Sequence, residues 1–247
     1  MPQLPMPLSK TLAATVCAML LGAAQAQSIS ASDIKNDYDN ASFSTSFNVL
    51  AYSPWDTTPE LGLKTQDGYT GVGVQGATNG EIDWRSGLSE SITVDLTNPT
   101  AIASITLGLL FNGPEYSDVR EVARITVNGS DTYSLRTGSA ENVAAWYHGN
   151  TFLANVNYIP GAGTQSGEAG AITLWSPFGN TVVDTIAFAA DFGVNSYTCG
   201  AGTASCTNQS DYNVVNVTAV PEPQTYALLL AGLGAVGFVA RRRRANG

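Results

Sequence analysis

The chain has 247 residues, with 11 basic and 20 acidic residues, one histidine, three cysteines and a net charge of −9. Hydrophobic residues make up 44%, enough to build a core, while charged residues reach only 13%, about half the usual share. The acidic balance excludes a nucleic-acid partner, which requires clustered Lys and Arg. A single histidine excludes multi-histidine metal sites, and three cysteines exclude a four-cysteine zinc site.

The first element is an address. Lys10 precedes a charge-free apolar stretch, Thr11–Ala24, which ends in the small-x-small pattern Ala24-Gln25-Ala26. Residues 1–26 therefore read as a secretory signal peptide cleaved after Ala26. Cys17 lies inside the apolar stretch and leaves with it.

From residue 27 to 219 the pattern has period two. A strand is predicted at Ser42–Leu50. Ile92, Val94 and Leu96 alternate with Ser91, Thr93 and Asp95, and Ile105, Leu107, Leu109 and Phe111 alternate with Ser104, Thr106, Gly108 and Leu110. Ile125 and Val127 alternate with Arg124 and Thr126. Each run reads as a half-buried strand. The glycine-rich stretch Leu61–Glu90 reads as a long loop or a set of irregular edge strands. Asn128-Gly129 tolerates positive φ at both positions, which predicts a type I′ hairpin. A short helix is expected at Ser139–Trp146, with Ser139 as its cap. Further strands are expected at Thr151–Asn157, Ala171–Trp175, Val182–Ala189 and Tyr212–Ala219. The fold class is all-β: an antiparallel β-sandwich, jelly-roll-like, spanning 27–219. An outer-membrane β-barrel is the competing all-β solution, but the outward strand faces are too polar for a lipid-facing band. No repeat of fixed period occurs.

Cys199 and Cys206 are the two thiols left after signal cleavage. In an oxidising compartment they are expected to pair. A disulfide there would pin the loop before the last strand, worth about 2–3 kcal/mol in the chain-entropy model.

Few residues in the body suggest chemistry. His148 is the lone imidazole, and no Gly-x-Ser-x-Gly elbow accompanies it. Glu81 and Asp83 lie beside Trp84, and period two puts both carboxylates on one strand face. Glu115, Asp118 and Glu121 form a second acidic group. Either group could supply a carboxylate pair for glycoside hydrolysis, or both could be solvated edges of an acidic domain. No metal ligand set is identified and no cofactor is expected. Calcium, which takes carboxylate and carbonyl oxygens, is the one structural ion such acidic loops would suit, although no EF-hand spacing occurs. Trp84, Trp146 and Tyr147 sit among polar and loop residues and are the candidates for stacking on sugar rings. Trp175 ends an apolar strand and reads as buried.

The last element is a second address. Val220-Pro221-Glu222-Pro223 leads into Gln224–Ala240, 17 residues without a charge, and then Arg241, Arg242, Arg243 and Arg244. A helix at 1.5 Å per residue would span about 25 Å, the short limit for a bilayer. The arginines would hold its far end in the cytoplasm. Together these parts resemble the PEP-CTERM sorting signal. The resemblance implies an exported protein of a Gram-negative bacterium, held transiently in the inner membrane by a C-terminal transmembrane helix. It implies an exosortase as partner, a membrane-embedded cysteine protease-transpeptidase that would process the chain near Pro221–Pro223. It covers only residues 220–247 and concerns destination, not activity. With both addresses removed, six of the 11 basic and 19 of the 20 acidic residues remain, so the body carries −13.

These features favour a non-enzymatic protein of the cell surface or exopolysaccharide matrix. A carbohydrate-binding module for the host's exopolysaccharide is the first alternative, and a glycoside hydrolase the second.

Overall fold

Near the start of the described residues lies a helix that the period-two pattern does not announce. Ser30 caps α1 (Ala31–Asp39): its hydroxyl accepts from the Asp33 amide at 3.2 Å, and the Asp33 carboxylate accepts from the Ser30 amide at 2.9 Å. This reciprocal capping box satisfies two otherwise orphaned donors. Ala31 and Ile34 turn inward to the core. The computed structural model describes residues 27–40, 44, 46–76, 79–112, 120–138, 142–164, 167–192, 210–220, 230–237 and 240–242. The signal peptide, Glu115, Asp118, Ser139, Cys199, Cys206, Pro221, Glu222, Pro223, Arg243 and Arg244 lie outside the described residues.

Among the described residues, fifteen strands follow the antiparallel plan expected. They are β1 (Ser28–Ser30), β2 (Phe47–Tyr52), β3 (Leu61–Gln66), β4 (Tyr69–Gln75), β5 (Asn79–Arg85), β6 (Leu88–Ser89), β7 (Ser91–Thr100) and β8 (Ile102–Gly108), then β9 (Val122–Val127), β10 (Asp131–Thr137), β11 (Val143–His148), β12 (Thr151–Asn157), β13 (Ile172–Trp175), β14 (Val183–Ala190) and β15 (Ser210–Ala219). One sheet runs β13-β8-β15-β4-β5-β6, with β1 on β15 and β3 on β4. The other runs β12-β11-β10-β9-β14-β7-β2. Strands β9 to β12 form a meander, and the Asn128-Gly129 turn that starts it has φ of 52° and 71°, the positive values of a type I′ turn, with Ser130 as a third residue between the paired Val127 and Asp131.

The two sheets bury their apolar faces in one core. Ile92, Val94 and Leu96 point inward, as their alternation predicted, and meet Ile125, Ile186 and Phe188 in the same cluster as Ile105, Leu107, Tyr212 and Val214 of the first sheet. Burying each such side chain contributes about 1.5–3 kcal/mol. Tyr212 ties the layers together, since its hydroxyl donates to the Ala189 carbonyl at 3.1 Å. Its complete burial pushes the phenol well above its ordinary pKa. Ser28 pairs with Thr218, so the first and last strands of the body lie side by side. Residues Ser28–Ala219 form one compact unit.

Of the two readings of Leu61–Glu90 the strands hold and the long loop does not: it folds as β3 to β6, with turns at Asp67-Gly68 and Ser86-Gly87 where all four residues have positive φ. One expectation needs correction. The helix expected at Ser139–Trp146 is replaced, over its described part, by β11. There Trp146 pairs with Leu135 on one side and Ala154 on the other. Ala144 and Trp146 alternate into the core, a pattern only a strand can sustain. In the C-terminal segment residues 230–237 and 240–242 are helical, Arg241 and Arg242 among them. Among the described residues no helix is long and apolar enough to cross a membrane.

Candidate functional site

The carboxylates come together by strand register. Glu81 and Asp83 share one face of β5, as period two predicts. Asp211 pairs directly with Asp83 because β15 runs antiparallel to β5, and Tyr212 pairs with Ile82 on the core side. Glu81, Asp83 and Asp211 each place a carboxylate oxygen within 4.8 Å of the others. All three are buried, Asp83 completely. The Lys64 ammonium from β3 ion-pairs with Glu81. The glycines make this crowding feasible: a Cβ on Gly73 would lie 2.2 Å from the Glu81 nitrogen.

Glu90, just after β6, extends the polar network. Its Oε1 accepts from the Ser53 hydroxyl at 3.0 Å and its Oε2 from the Asp83 amide at 3.2 Å. Burial pushes its carboxyl up to about 7, and the Asp83 charge adds to the rise. The hydrogen bonds from Asp83 and Ser53 and the Arg85 charge oppose it. Three converging carboxylates form an all-oxygen set of the type calcium takes. A glycoside hydrolase also uses paired carboxylates, which must be open to the substrate, whereas these three are buried. Glu121, from the other acidic group, is equally buried, and its carboxylate accepts from the Phe111 amide. That contact anchors the segment after β8, which is a structural task.

The aromatic candidates separate differently. Trp84 is half-buried, with its ring edge-on to Phe192 at 5.1 Å. Tyr147 faces outward on β11 under the Arg136 guanidinium, 4.4 Å from its ring centre. Trp146 is buried and stacks on Tyr133 at 5.4 Å, which in turn stacks on His148 at 4.4 Å. Trp175, expected to be buried, is 77% exposed. The correction follows from its own strand: Ile172 and Leu174 take the inward positions of β13, so Trp175 must point out.

Trp175 lines a groove among the described residues. β12 and β13 are edge strands of opposite sheets, and the groove opens between them, about 530 Å³ in volume. Trp146, His148, Leu153, Leu174, Trp175 and Phe178 line it. The turn after β13 closes one end. Ser176 holds φ at 45°, its amide donates to the Ala103 carbonyl at 2.7 Å, and the Pro177 carbonyl accepts from the Trp146 indole at 3.4 Å. Sequence reasoning placed Trp146 at the surface and missed Trp175, Leu153 and Phe178. For Trp175 the period-two signal was present in Ile172–Trp175. Asp211 and Glu90 were also missed, and only the pairing of distant strands brings them to Glu81 and Asp83.

No curated protein and no solved structure matches the chain. Residues 219–244 do match a family model, that of the PEP-CTERM protein-sorting motif, so the chain carries the sorting signal of an exported protein that an exosortase handles.

Proposed function

We propose that the processed body is a non-enzymatic protein of the cell surface or exopolysaccharide matrix, and that it works by binding rather than by catalysis. One observation carries this reading. Among the described residues, the carboxylates that converge are shut inside the fold, at 5% exposure for Glu81, 0% for Asp83 and 8% for Asp211. The accessible groove, by contrast, is lined by aromatic and aliphatic side chains. General acid–base chemistry needs a carboxylate within hydrogen-bond reach of the substrate. The C-terminal apolar segment serves in this reading as the transient membrane anchor, and the Pro221–Pro223 region as the place where the exosortase releases the body.

The test has two arms. Deleting residues 219–247 should leave an exported protein that is neither processed nor delivered to the surface. Unchanged processing and location would refute the sorting role. Incubating the secreted protein with neutral and acidic polysaccharides should release no reducing ends. Release that disappears in Glu81→Gln would establish the hydrolase instead.

A further inference from the structure

The walls of the groove between β12 and β13 restrict what can occupy it. We propose that it binds a neutral saccharide, with the Trp175 indole as the stacking platform for one pyranose ring. The proposal rests on the reading of the body as a binding domain and names its ligand class.

A pyranose ring presents a flat C–H face and a rim of hydroxyls. Trp175 offers a wide apolar face that is already free of the protein, and ordering an indole costs little because only two χ angles are fixed. Leu153 and Phe178 continue the apolar wall. The His148 ring and the Ser176 hydroxyl supply donors and acceptors for the hydroxyl rim. Among the described residues lining the groove none is Asp, Glu, Lys or Arg. A charged sugar would give up hydration there without gaining a counter-charge. The volume of about 530 Å³ falls in the range of small-molecule sites.

The groove is also built in advance. Tyr133 lies between Trp146 and His148, nearly parallel to both at 12° and 11°, so the floor is locked by stacking. Ser176 keeps a left-handed backbone conformation that non-glycine residues seldom hold, and such positions concentrate at ligand clamps. Walls fixed before binding leave less entropy to lose when the ligand arrives.

The secreted protein, Trp175→Ala and Trp175→Phe are compared in native gels containing dextran, hydroxyethylcellulose, mannan or galactan, with alginate as the acidic probe. Retardation is expected in at least one neutral gel. Trp175→Phe should keep it, and Trp175→Ala should weaken the apparent affinity about tenfold. Because Trp175 is exposed, the alanine variant should unfold at the wild-type midpoint, which separates lost binding from lost fold. No retardation in any neutral gel, equal retardation of Trp175→Ala, or retardation by alginate alone overturns the proposal. So does self-association that vanishes in Trp175→Ala without any sugar binding. Reducing ends released from a gel that retards the protein would refute the non-enzymatic reading while leaving the Trp175 site standing.

Discussion

Glu90 gives the sharpest test of the buried polar network. Its carboxyl is raised from the ordinary 4.5 to about 7, so the folded protein holds a proton there that the unfolded chain has released. The sign follows from linkage. Below pH 4.5 both states are protonated and Glu90 costs nothing. Between 4.5 and about 7 the unfolded chain ionises first, and stability falls as pH rises. Above about 7 the full cost is present. At 1.36 kcal/mol per pH unit the interval sets an upper limit of about 3 kcal/mol. Glu90→Gln removes the charge and keeps the shape. The amide oxygen can accept from the Asp83 amide, and the amide nitrogen can donate to the Ser53 hydroxyl, which is able to accept. The stability difference between Glu90→Gln and wild type should therefore swing in favour of the variant by about 2–3 kcal/mol from pH 4 to pH 8. Denaturant unfolding followed by tryptophan fluorescence at both pH values measures it. A difference that does not change with pH would show that Glu90 is not held protonated, and the reasoning from burial would fail.

Two further changes test the backbone argument. Gly73→Ala places a Cβ 2.2 Å from the Glu81 nitrogen, and because the obstacle is backbone the strands must part. A loss of about 2 kcal/mol or more is expected in the same unfolding assay, and a loss within error would show that β4 and β5 do not approach so closely. Gly129→Ala meets nothing within 4 Å, so its cost is the left-handed φ of 71° alone. About 1 kcal/mol is expected, and no change would mean that the hairpin is not type I′.

The sequence by itself determined the address at the C-terminus and the class of fold. A sorting signal is read as a short linear segment by its recogniser, so Pro221-Glu222-Pro223, the apolar stretch and the arginines are legible without any fold. Half-buried strands are nearly as local. Ile92, Val94 and Leu96 alternate because one face of β7 meets the core, and that period survives in the chain. The capping box at Ser30 and the Asp67-Gly68 turn were equally local signals, and their chemistry is plain once the elements are seen. Tertiary structure decided everything that depends on which strands become neighbours. Asp211 reaches Asp83 across 128 positions of sequence only because β15 pairs with β5. Trp146 looked like a surface residue beside the loop-forming Tyr147-His148-Gly149, yet β11 lies between two strands and turns it to the core. Trp175 is exposed because β13 is an edge strand whose inward positions Ile172 and Leu174 already fill. Burial is a property of the neighbours, and the neighbours of a β-strand are chosen far away in sequence.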